Sequence, residues 1–160
     1  AAVWTWVLEA NGDVILFSDA DLSTPVEEFD NLKKAIDEGY DIAIGSRGMP
    51  ESDVKIKQTL LRRMIGIMGS YVIKLLVIRK FADTQCGFKM FKKEKCRALF
   101  RRQKISGFAF DVEILYRAVK RNYKVKEVPV VWMNSSMSRV DALRDTLRIL
   151  RDLFRIRTGF

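Results

Sequence analysis

The feature of this 160-residue sequence that most constrains its fold is a strand–helix–strand pattern near its start. The apolar run Asp13–Ser18 predicts a buried strand. A helix is then predicted from Thr24, a candidate N-cap, to about Glu38, with Gly39 as its stop signal. The second apolar run, Asp41–Gly45, predicts another buried strand. Because strands joined by a helix of this length are normally parallel, the pattern indicates an α/β fold.

Polar residues follow both predicted strands at the point where each strand ends. Asp19-Ala20-Asp21 comes after the first and Gly45-Ser46-Arg47 after the second. In open α/β sheets ligands bind beyond these carboxyl ends. Two carboxylates one residue apart can converge on one divalent cation, since Mg²⁺ and Mn²⁺ prefer oxygen ligands. The pattern therefore predicts a metal site, although a helix cap followed by a loop aspartate would look the same.

The same acidic residues also suggest a phosphoacceptor pocket of the receiver type. That pocket needs a lysine at the end of a later strand. The clearest later strand ends at Trp132-Met133-Asn134, without a lysine. The receiver interpretation is therefore disfavoured.

Composition excludes several chemistries. The sequence has no histidine, which excludes His-ligated zinc, a Ser–His–Asp triad and a Cys–His dyad. Its two cysteines, Cys86 and Cys96, indicate reduced thiols in a cytosolic setting. No charge-free apolar run of about 18 residues is present, so no spanning helix is predicted. The sequence opens without Met and in mid-pattern, and we expect its natural start to be missing.

Charge is unevenly distributed along the chain. Residues 1–54 carry twelve acidic and three basic side chains, whereas residues 55–104 carry fifteen basic and two acidic ones. Residues 105–160 carry eleven basic and six acidic ones, and the net charge is +9. This distribution predicts a cation site followed by a surface for phosphates, phospholipids or nucleic acid. Lysines that only confer solubility are the alternative.

The second half adds further elements but no linker to a second domain, so residues 1–160 are predicted to form a single domain. The elements are a long apolar helix at Thr59–Ile78, an extended segment at Phe81–Phe91, a basic helix at Lys92–Arg102, an amphipathic helix at Phe110–Asn122, a strand at Lys124–Trp132 and a final helix at Arg139–Arg157. Pro129 predicts that the strand lies at a sheet edge or carries a bulge. The final helix is basic and amphipathic, a pattern typical of helices on anionic membranes and also of helices packed on their own core.

Six ordered segments resemble a known family: Asp19–Pro25 (DADLSTP), Gly45-Ser46-Arg47, Arg62-Arg63, Asp83–Lys89 (DTQCGFK), Gly107–Leu115 (GFAFDVEIL) and Glu127–Trp132 (EVPVVW). Together they resemble family 2 glycosyltransferases of the dolichyl-phosphate β-glucosyltransferase type. The resemblance implies an α/β GT-A fold, which is Rossmann-like. It also implies that this chain is truncated at its N-terminus, because the family's base-binding strand and loop are absent.

The resemblance further implies roles for individual residues. Asp19, Asp21 and Ser23 match the positions that hold Mg²⁺ or Mn²⁺. The implied contacts to the donor or acceptor phosphates are Asp19, Ser46, Arg47, Arg62, Arg63, Gln85 and Arg139. The implied catalytic residues are Asp83, Asp111 and Arg47. A simple N-cap role for Asp111 at the start of its helix stays open.

The function implied is metal-dependent, inverting transfer of a hexose, with glucose favoured, from a nucleoside-diphosphate sugar to a polyprenyl or dolichyl phosphate. UDP-glucose is favoured over GDP-mannose as the donor. The protein is expected to be peripheral, at the cytoplasmic face of a membrane. The alternatives are a mannosyl or other glycan-directed family 2 transferase, an inactive fragment, and a basic nucleic-acid-binding module. Residues 55–104 lack an evident aromatic stacking stripe, so no nucleic acid is expected.

Overall fold

The computed structural model describes residues 2–55, 60–133 and 142–159. In chain order the helices and strands are α1 (Ala2–Glu9), β1 (Val14–Ser18), α2 (Phe29–Asp37), β2 (Ile42–Ser46), β3 (Asp53–Val54), α3 (Leu60–Leu76), β4 (Phe88–Lys92), α4 (Lys93–Phe100), α5 (Phe110–Lys120), β5 (Val125–Pro129), β6 (Val131–Trp132) and α6 (Ala142–Thr158). Within these residues no helix is long and apolar enough to cross a bilayer.

Among the described residues the main sheet has four strands, in the order β1-β4-β2-β5. Strand β4 is antiparallel to both β1 and β2, and β5 is parallel to β2. Strands β1, β2 and β5 therefore run in the same direction, and their carboxyl ends meet at one edge of the sheet. The predicted parallel relation of the first two strands is confirmed. They are not neighbours, however, because β4 lies between them and pairs with both.

A second, two-stranded sheet lies where one strand was expected to continue. The predicted strand Lys124–Trp132 divides after Pro129 into β5 and β6, and β6 pairs in parallel with β3. Proline lacks the N–H group that a continuous ladder needs. The expected edge position is confirmed, since β5 is the last strand of the main sheet.

Helices cover both faces of the main sheet. On one face Leu32 and Ile36 of α2 pack with Ala43, Phe88 and Met90 of the strands. Ile42, Ile44 and Phe91 point to the other face, because neighbouring strand residues alternate in direction. There they pack with α4, α5 and α6. The result is a three-layer α/β arrangement.

The start of the helical segment after β1 differs from the prediction. Thr24 is not an N-cap: a 3₁₀ turn at Val26–Glu28 follows Pro25, with no side-chain capping bond. The Thr24 side chain is instead buried, with its hydroxyl 3.9 Å from Cys86 Sγ. The predicted end is confirmed, because Gly39 follows α2 with a φ of 96°.

Candidate active site

The loop after β1 presents the two predicted metal ligands. The backbone N–H of Asp19 donates to the Gly87 carbonyl at 2.8 Å, which ties this loop to the segment before β4. A Cβ built on Gly87 would overlap the Asp19 carboxylate. The carboxylate can occupy this position only because residue 87 has no side chain. Asp21 Oδ1 accepts the backbone N–H of Ser23 at 3.0 Å, so Asp21 is also oriented by its own loop.

The charge at Asp19 is only partly compensated. Burial raises the pKa of its carboxyl group and the neighbouring Asp21 adds to this, while Lys89 and Arg47 oppose the shift without cancelling it. Two carboxylates held close together, one with a raised pKa, form an electronegative position.

This donor set fits a hard divalent cation. No group of three or more acidic, cysteine or histidine side chains placed to hold a metal occurs in the described part of the chain. The two predicted ligands, Asp19 and Asp21, are both carboxylates. This suits Mg²⁺ or Mn²⁺ that takes its other ligands from water and substrate phosphates. Ser23 is buried, and its contribution in the structure is the backbone N–H that orients Asp21.

A closed ion pair lies beyond β2. Arg47 Nε donates to Asp83 Oδ2 at 2.6 Å and its Nη2 donates to Oδ1 at 3.0 Å, while its backbone N–H also reaches Oδ2 at 3.1 Å. Burial alone would raise the pKa of the Asp83 carboxyl, but these bonds and the guanidinium charge outweigh burial and lower it. The Arg47 guanidinium also lies over the Trp132 ring, 5.4 Å from its centroid. Asp83 and Arg47 thus form a rigid bidentate pair.

The loop that carries Asp83 is fixed by backbone contacts. Asp83 Oδ1 accepts the N–H groups of Gln85 and Cys86 at 3.0 and 3.1 Å. The Glu127 carboxylate accepts the N–H groups of Ala82 and Asp83 at 2.9 Å. The loop therefore keeps its shape through two carboxylates, one from inside it and one from β5.

Asp111 and Lys89 form a further ion pair at the site. Asp111 lies in the first turn of α5, and its Oδ1 accepts a bond from Lys89 Nζ at 2.7 Å. The N-cap alternative for Asp111 is wrong: the cap is Ala109, without a side-chain capping bond. Burial raises the pKa of Asp111 and Lys89 lowers it, while Asp19 and Asp83 raise it further. These mutual effects place the three aspartates near one another.

The structure gives less information about the remaining predicted site residues. Ser46 is fully buried, and its Oγ accepts the Gly48 N–H at 3.4 Å. Gln85 contributes its backbone N–H to the Asp83 turn. Arg62 and Arg63 lie on α3, but their side chains are outside the described part of the chain. Arg139 lies within 134–141, which the structure does not describe.

A protein-family model described as glycosyl transferase family 2 matches residues 1–105. The chain belongs to glycosyl transferase family 2. The family resemblance inferred from the six sequence segments is thereby confirmed.

Curated members of this family are similar over nearly the whole chain. The dolichyl-phosphate β-glucosyltransferase of Drosophila melanogaster is 35% identical over 97% of this chain and 49% of that protein. The one of Dictyostelium discoideum is 34% identical over 98% of this chain and 49% of that protein. The chain thus spans about half the length of these relatives.

Solved structures confirm the fold. Glucosyl-3-phosphoglycerate synthase from Mycobacterium tuberculosis, in complex with phosphoglyceric acid, aligns with a TM-score of 0.72 over 99% of this chain and 54% of that chain, at 16% identity. The complex of the same enzyme with uridine diphosphate aligns with a TM-score of 0.69 at 15% identity, again over 99% of this chain and 54% of that chain. At such identities the likeness shows the fold alone, which is the predicted GT-A fold.

Sequence reasoning missed three residues that shape the site of this family 2 chain: Lys89, Gly87 and Glu127. A lysine inside the otherwise apolar strand Phe88–Lys92 was a usable signal, because a buried lysine requires a partner. The roles of Gly87 and Glu127 depend on contacts with distant segments, and nothing in their local sequence indicates them.

The two cysteines carry no sign of thiol chemistry. Both are buried and free of disulfides. Burial raises the pKa of the Cys86 thiol and raises that of Cys96 to about 12. Both thiols are therefore protonated at neutral pH and poorly nucleophilic.

Proposed function

We propose that this chain forms the catalytic part of a transferase that moves glucose from UDP-glucose to dolichyl phosphate or another polyprenyl phosphate, with inversion at the anomeric carbon. The observation that carries the proposal is the incompletely neutralised pair Asp19 and Asp21 at the carboxyl end of β1. It lies among the charged residues Arg47, Asp83 and Asp111. Membership of family 2 and the names of the relatives support this choice of reaction.

Asp19 and Asp21 are the proposed ligands of Mg²⁺ or Mn²⁺. When bound, the cation would neutralise charge that develops on the departing nucleoside diphosphate. The bond from the Ser23 backbone orients Asp21, and the absent side chain at Gly87 makes room for Asp19. Both carboxylates are thus set in place before substrate arrives, which is the preorganisation that charge stabilisation requires.

Asp83 and Asp111 are proposed to contact the hydroxyl groups of the sugar or the acceptor. Arg47 holds Asp83 through Nε and Nη2, which leaves its Nη1 edge as the donor to a phosphate oxygen. Ser46, Arg62, Arg63, Gln85 and Arg139 stay predictions as further phosphate contacts. A phosphate monoester is already anionic and nucleophilic at neutral pH, so the lack of histidine is compatible with this reaction.

The preference for UDP-glucose over GDP-mannose rests on the relatives. Their names specify β-glucosyl transfer to dolichyl phosphate. One structural neighbour is a uridine-diphosphate complex. Both facts belong to those proteins, and for this chain they motivate the first donor to be tested.

We also propose that the protein is peripheral, on the cytoplasmic face of a membrane. Exposed apolar residues form a stripe on α3 and another on α6: Met64, Ile67, Met68, Tyr71 and Leu75 on the former, Leu147, Leu150 and Phe154 on the latter. The two helices contact each other. Arg151 and Arg155 lie beside the α6 stripe and are at least half exposed. Apolar stripes bordered by arginines suit an anionic lipid surface.

The reaction is tested by incubating the chain with radiolabelled UDP-glucose, dolichyl phosphate and Mn²⁺, with GDP-mannose as the competing donor. The expected result is labelled glucosyl lipid that disappears on chelation. Asp21→Asn should abolish the product, whereas Asp30→Asn, an exposed aspartate on α2, should leave it unchanged. Mannosyl product, or product formed equally well in chelator, would contradict the proposal.

The membrane surface is tested separately by sedimentation with vesicles of phosphatidylcholine alone or with 30% phosphatidylserine. We expect binding to the anionic vesicles, weakened severalfold by Leu147→Gln combined with Phe154→Gln, because both side chains are exposed. Val26→Gln combined with Leu22→Gln, exposed apolar residues near the β1 loop, is the matched control and should bind as the wild type does. Equal binding by both double variants would rule out the α6 stripe.

A further inference from the structure

Lys89 is a buried charge beside the site residues that has no role in the proposed reaction. The residue is 1% exposed, and it lies on β4 between β1 and β2, where its partners on the two neighbouring strands are Phe17 and Ile44. We propose that Lys89 is a positioning residue of the active site, whose ammonium group holds the Asp111 carboxylate in the orientation that the sugar or acceptor requires. The inference rests on the proposed transferase function and deepens it.

The geometry shows that the Lys89 ammonium group holds one oxygen of the Asp111 carboxylate. Lys89 Nζ donates to Asp111 Oδ1 at 2.7 Å, and this contact does not involve Oδ2. The Lys89 side chain is 2% exposed and that of Asp111 is 13% exposed. The carboxylate is therefore the less shielded end of the pair, and it is the end that a ligand would reach first.

The same ammonium group also fixes the loop that holds Asp83. Lys89 Nζ donates to the Cys86 carbonyl, one residue before the glycine over which the Asp19 carboxylate lies. One cation thus links the first turn of α5 to the loop before β4. Loss of this cation should disturb the relative placement of Asp111, Asp83 and Asp19, and not only that of its direct partner.

Packing alone does not account for a lysine here. A buried ion pair is often no more stabilising than apolar residues of similar volume, because both charges lose their hydration. The partners of residue 89 on the neighbouring strands, Phe17 and Ile44, are both apolar, so the strand pairing does not call for a charge at this position. A lysine–aspartate pair beside two further site carboxylates is therefore better explained by what Asp111 does than by stability.

Asp111 is surrounded by charges from several elements. Lys89 faces it from β4, Asp19 from the loop after β1, and Asp83 from the loop before β4. Two like charges oppose its ionisation and Lys89 is the cation that favours it. Lys89 thus affects both the orientation and the ionisation of the Asp111 carboxylate.

The test compares wild type with Lys89→Met, Asp111→Asn and the double variant, using glucosyl transfer kinetics and urea unfolding. Each single variant should lower kcat at least tenfold and change the donor KM less than threefold. The double variant should be no slower than the worse single variant, because both changes remove one function. It should also recover stability, because neither charge remains buried alone, yet kcat should stay low.

Glu113→Gln is the matched control on the same helix. Glu113 is fully buried and accepts backbone bonds from Lys104 and Ile105, so its loss should lower stability but leave kcat and KM near wild type. Lys89→Arg should restore part of kcat, since it keeps the charge. If kcat recovers together with stability in the double variant, the pair is only structural and the inference is wrong. If wild type transfers no sugar from any donor, it is the proposed function that fails.

Discussion

Asp19 and Asp21, in the loop after β1, and Asp83, in the loop before β4, lie at the same sheet edge but in opposite electrostatic situations. Asp83 is held by Arg47 in a bidentate pair, and its pKa is lowered. Asp19 lies beside Asp21, and its pKa is raised. Asp83 is thus paired with a cation of the chain itself, whereas Lys89 and Arg47 only partly offset the charge at Asp19.

This difference indicates how the two positions are used. A closed pair with additional backbone bonds fixes the shape of a loop, and a metal ion would have to displace the Arg47 guanidinium to be held by this carboxylate. A pair of like charges stores unfavourable energy that an added divalent cation removes. We therefore assign the metal to Asp19 and Asp21, and we regard Arg47 with Asp83 as a preformed wall of the site.

The largest effect on stability should come from breaking the closed pair. Asp83→Asn removes the partner of the Arg47 guanidinium and weakens the turn at Gln85 and Cys86. We expect a loss of about 2–3 kcal/mol in the free energy of unfolding, below the full range for buried pairs because a third of the Arg47 side chain is exposed. Urea unfolding measures it, and a loss below about 0.5 kcal/mol would show that the pair is not structural.

A change at Gly87 should affect the open position instead. Gly87→Ala places a methyl group where the Asp19 carboxylate lies, so this carboxylate must move. Because the Asp19 side chain is exposed, it can move at little cost in stability, and we expect chiefly a Mn²⁺ affinity at least tenfold weaker. Gly66→Ala on α3 is the control. No described atom lies within 4 Å of its added Cβ, and the helix should gain about 0.5–1 kcal/mol. Unchanged Mn²⁺ binding in Gly87→Ala would contradict the placement of Asp19.

Neutralising Asp19 should have a smaller effect on stability, of the opposite sign to that at Asp83. Burial and Asp21 both disfavour the charged form, but the side chain is exposed and solvent screens these effects. Asp19→Asn without metal should therefore leave the free energy of unfolding unchanged or raise it by less than about 0.5 kcal/mol. The measurement is urea unfolding in chelator. A loss as large as that of Asp83→Asn would erase the distinction between the two positions.

The smallest expected effect is a difference between wild type and Asp83→Asn in how much stability each loses at low pH. Because the pKa of Asp83 is lowered on folding, its contribution to stability is present above its unfolded pKa and is lost as pH falls through the folded one. We expect wild type to lose more stability than Asp83→Asn when pH is lowered below about 4. Parallel pH profiles of the two proteins would show that Asp83 does not titrate with unfolding.

Much of this edge of the sheet could be predicted from local sequence. The apolar run before Asp19 and the polar residues after β2 placed both groups at strand ends, and periodicity gave most helix positions within a few residues. These features depend on residues close together in the chain.

The features that could not be predicted depend on distant contacts. The insertion of β4 between β1 and β2 requires pairing across about 70 residues, and local pattern does not encode it. Thr24 had the signature of a cap, but packing against Cys86 prevailed. The role of Lys89, which lies inside an apolar strand, depends on its ion pair with Asp111 on α5.

The most direct test of the central claim is a calorimetric titration of Mn²⁺ into this chain, followed by UDP-glucose, for wild type, Asp21→Asn and Asp30→Asn. The account predicts that wild type and Asp30→Asn bind Mn²⁺, and that they bind UDP-glucose only in the presence of Mn²⁺. Asp21→Asn should bind Mn²⁺ at least tenfold more weakly and lose the donor. Wild-type binding of UDP-glucose in chelator, or Mn²⁺ binding unaffected by Asp21→Asn, would contradict the assignment of the metal to this pair.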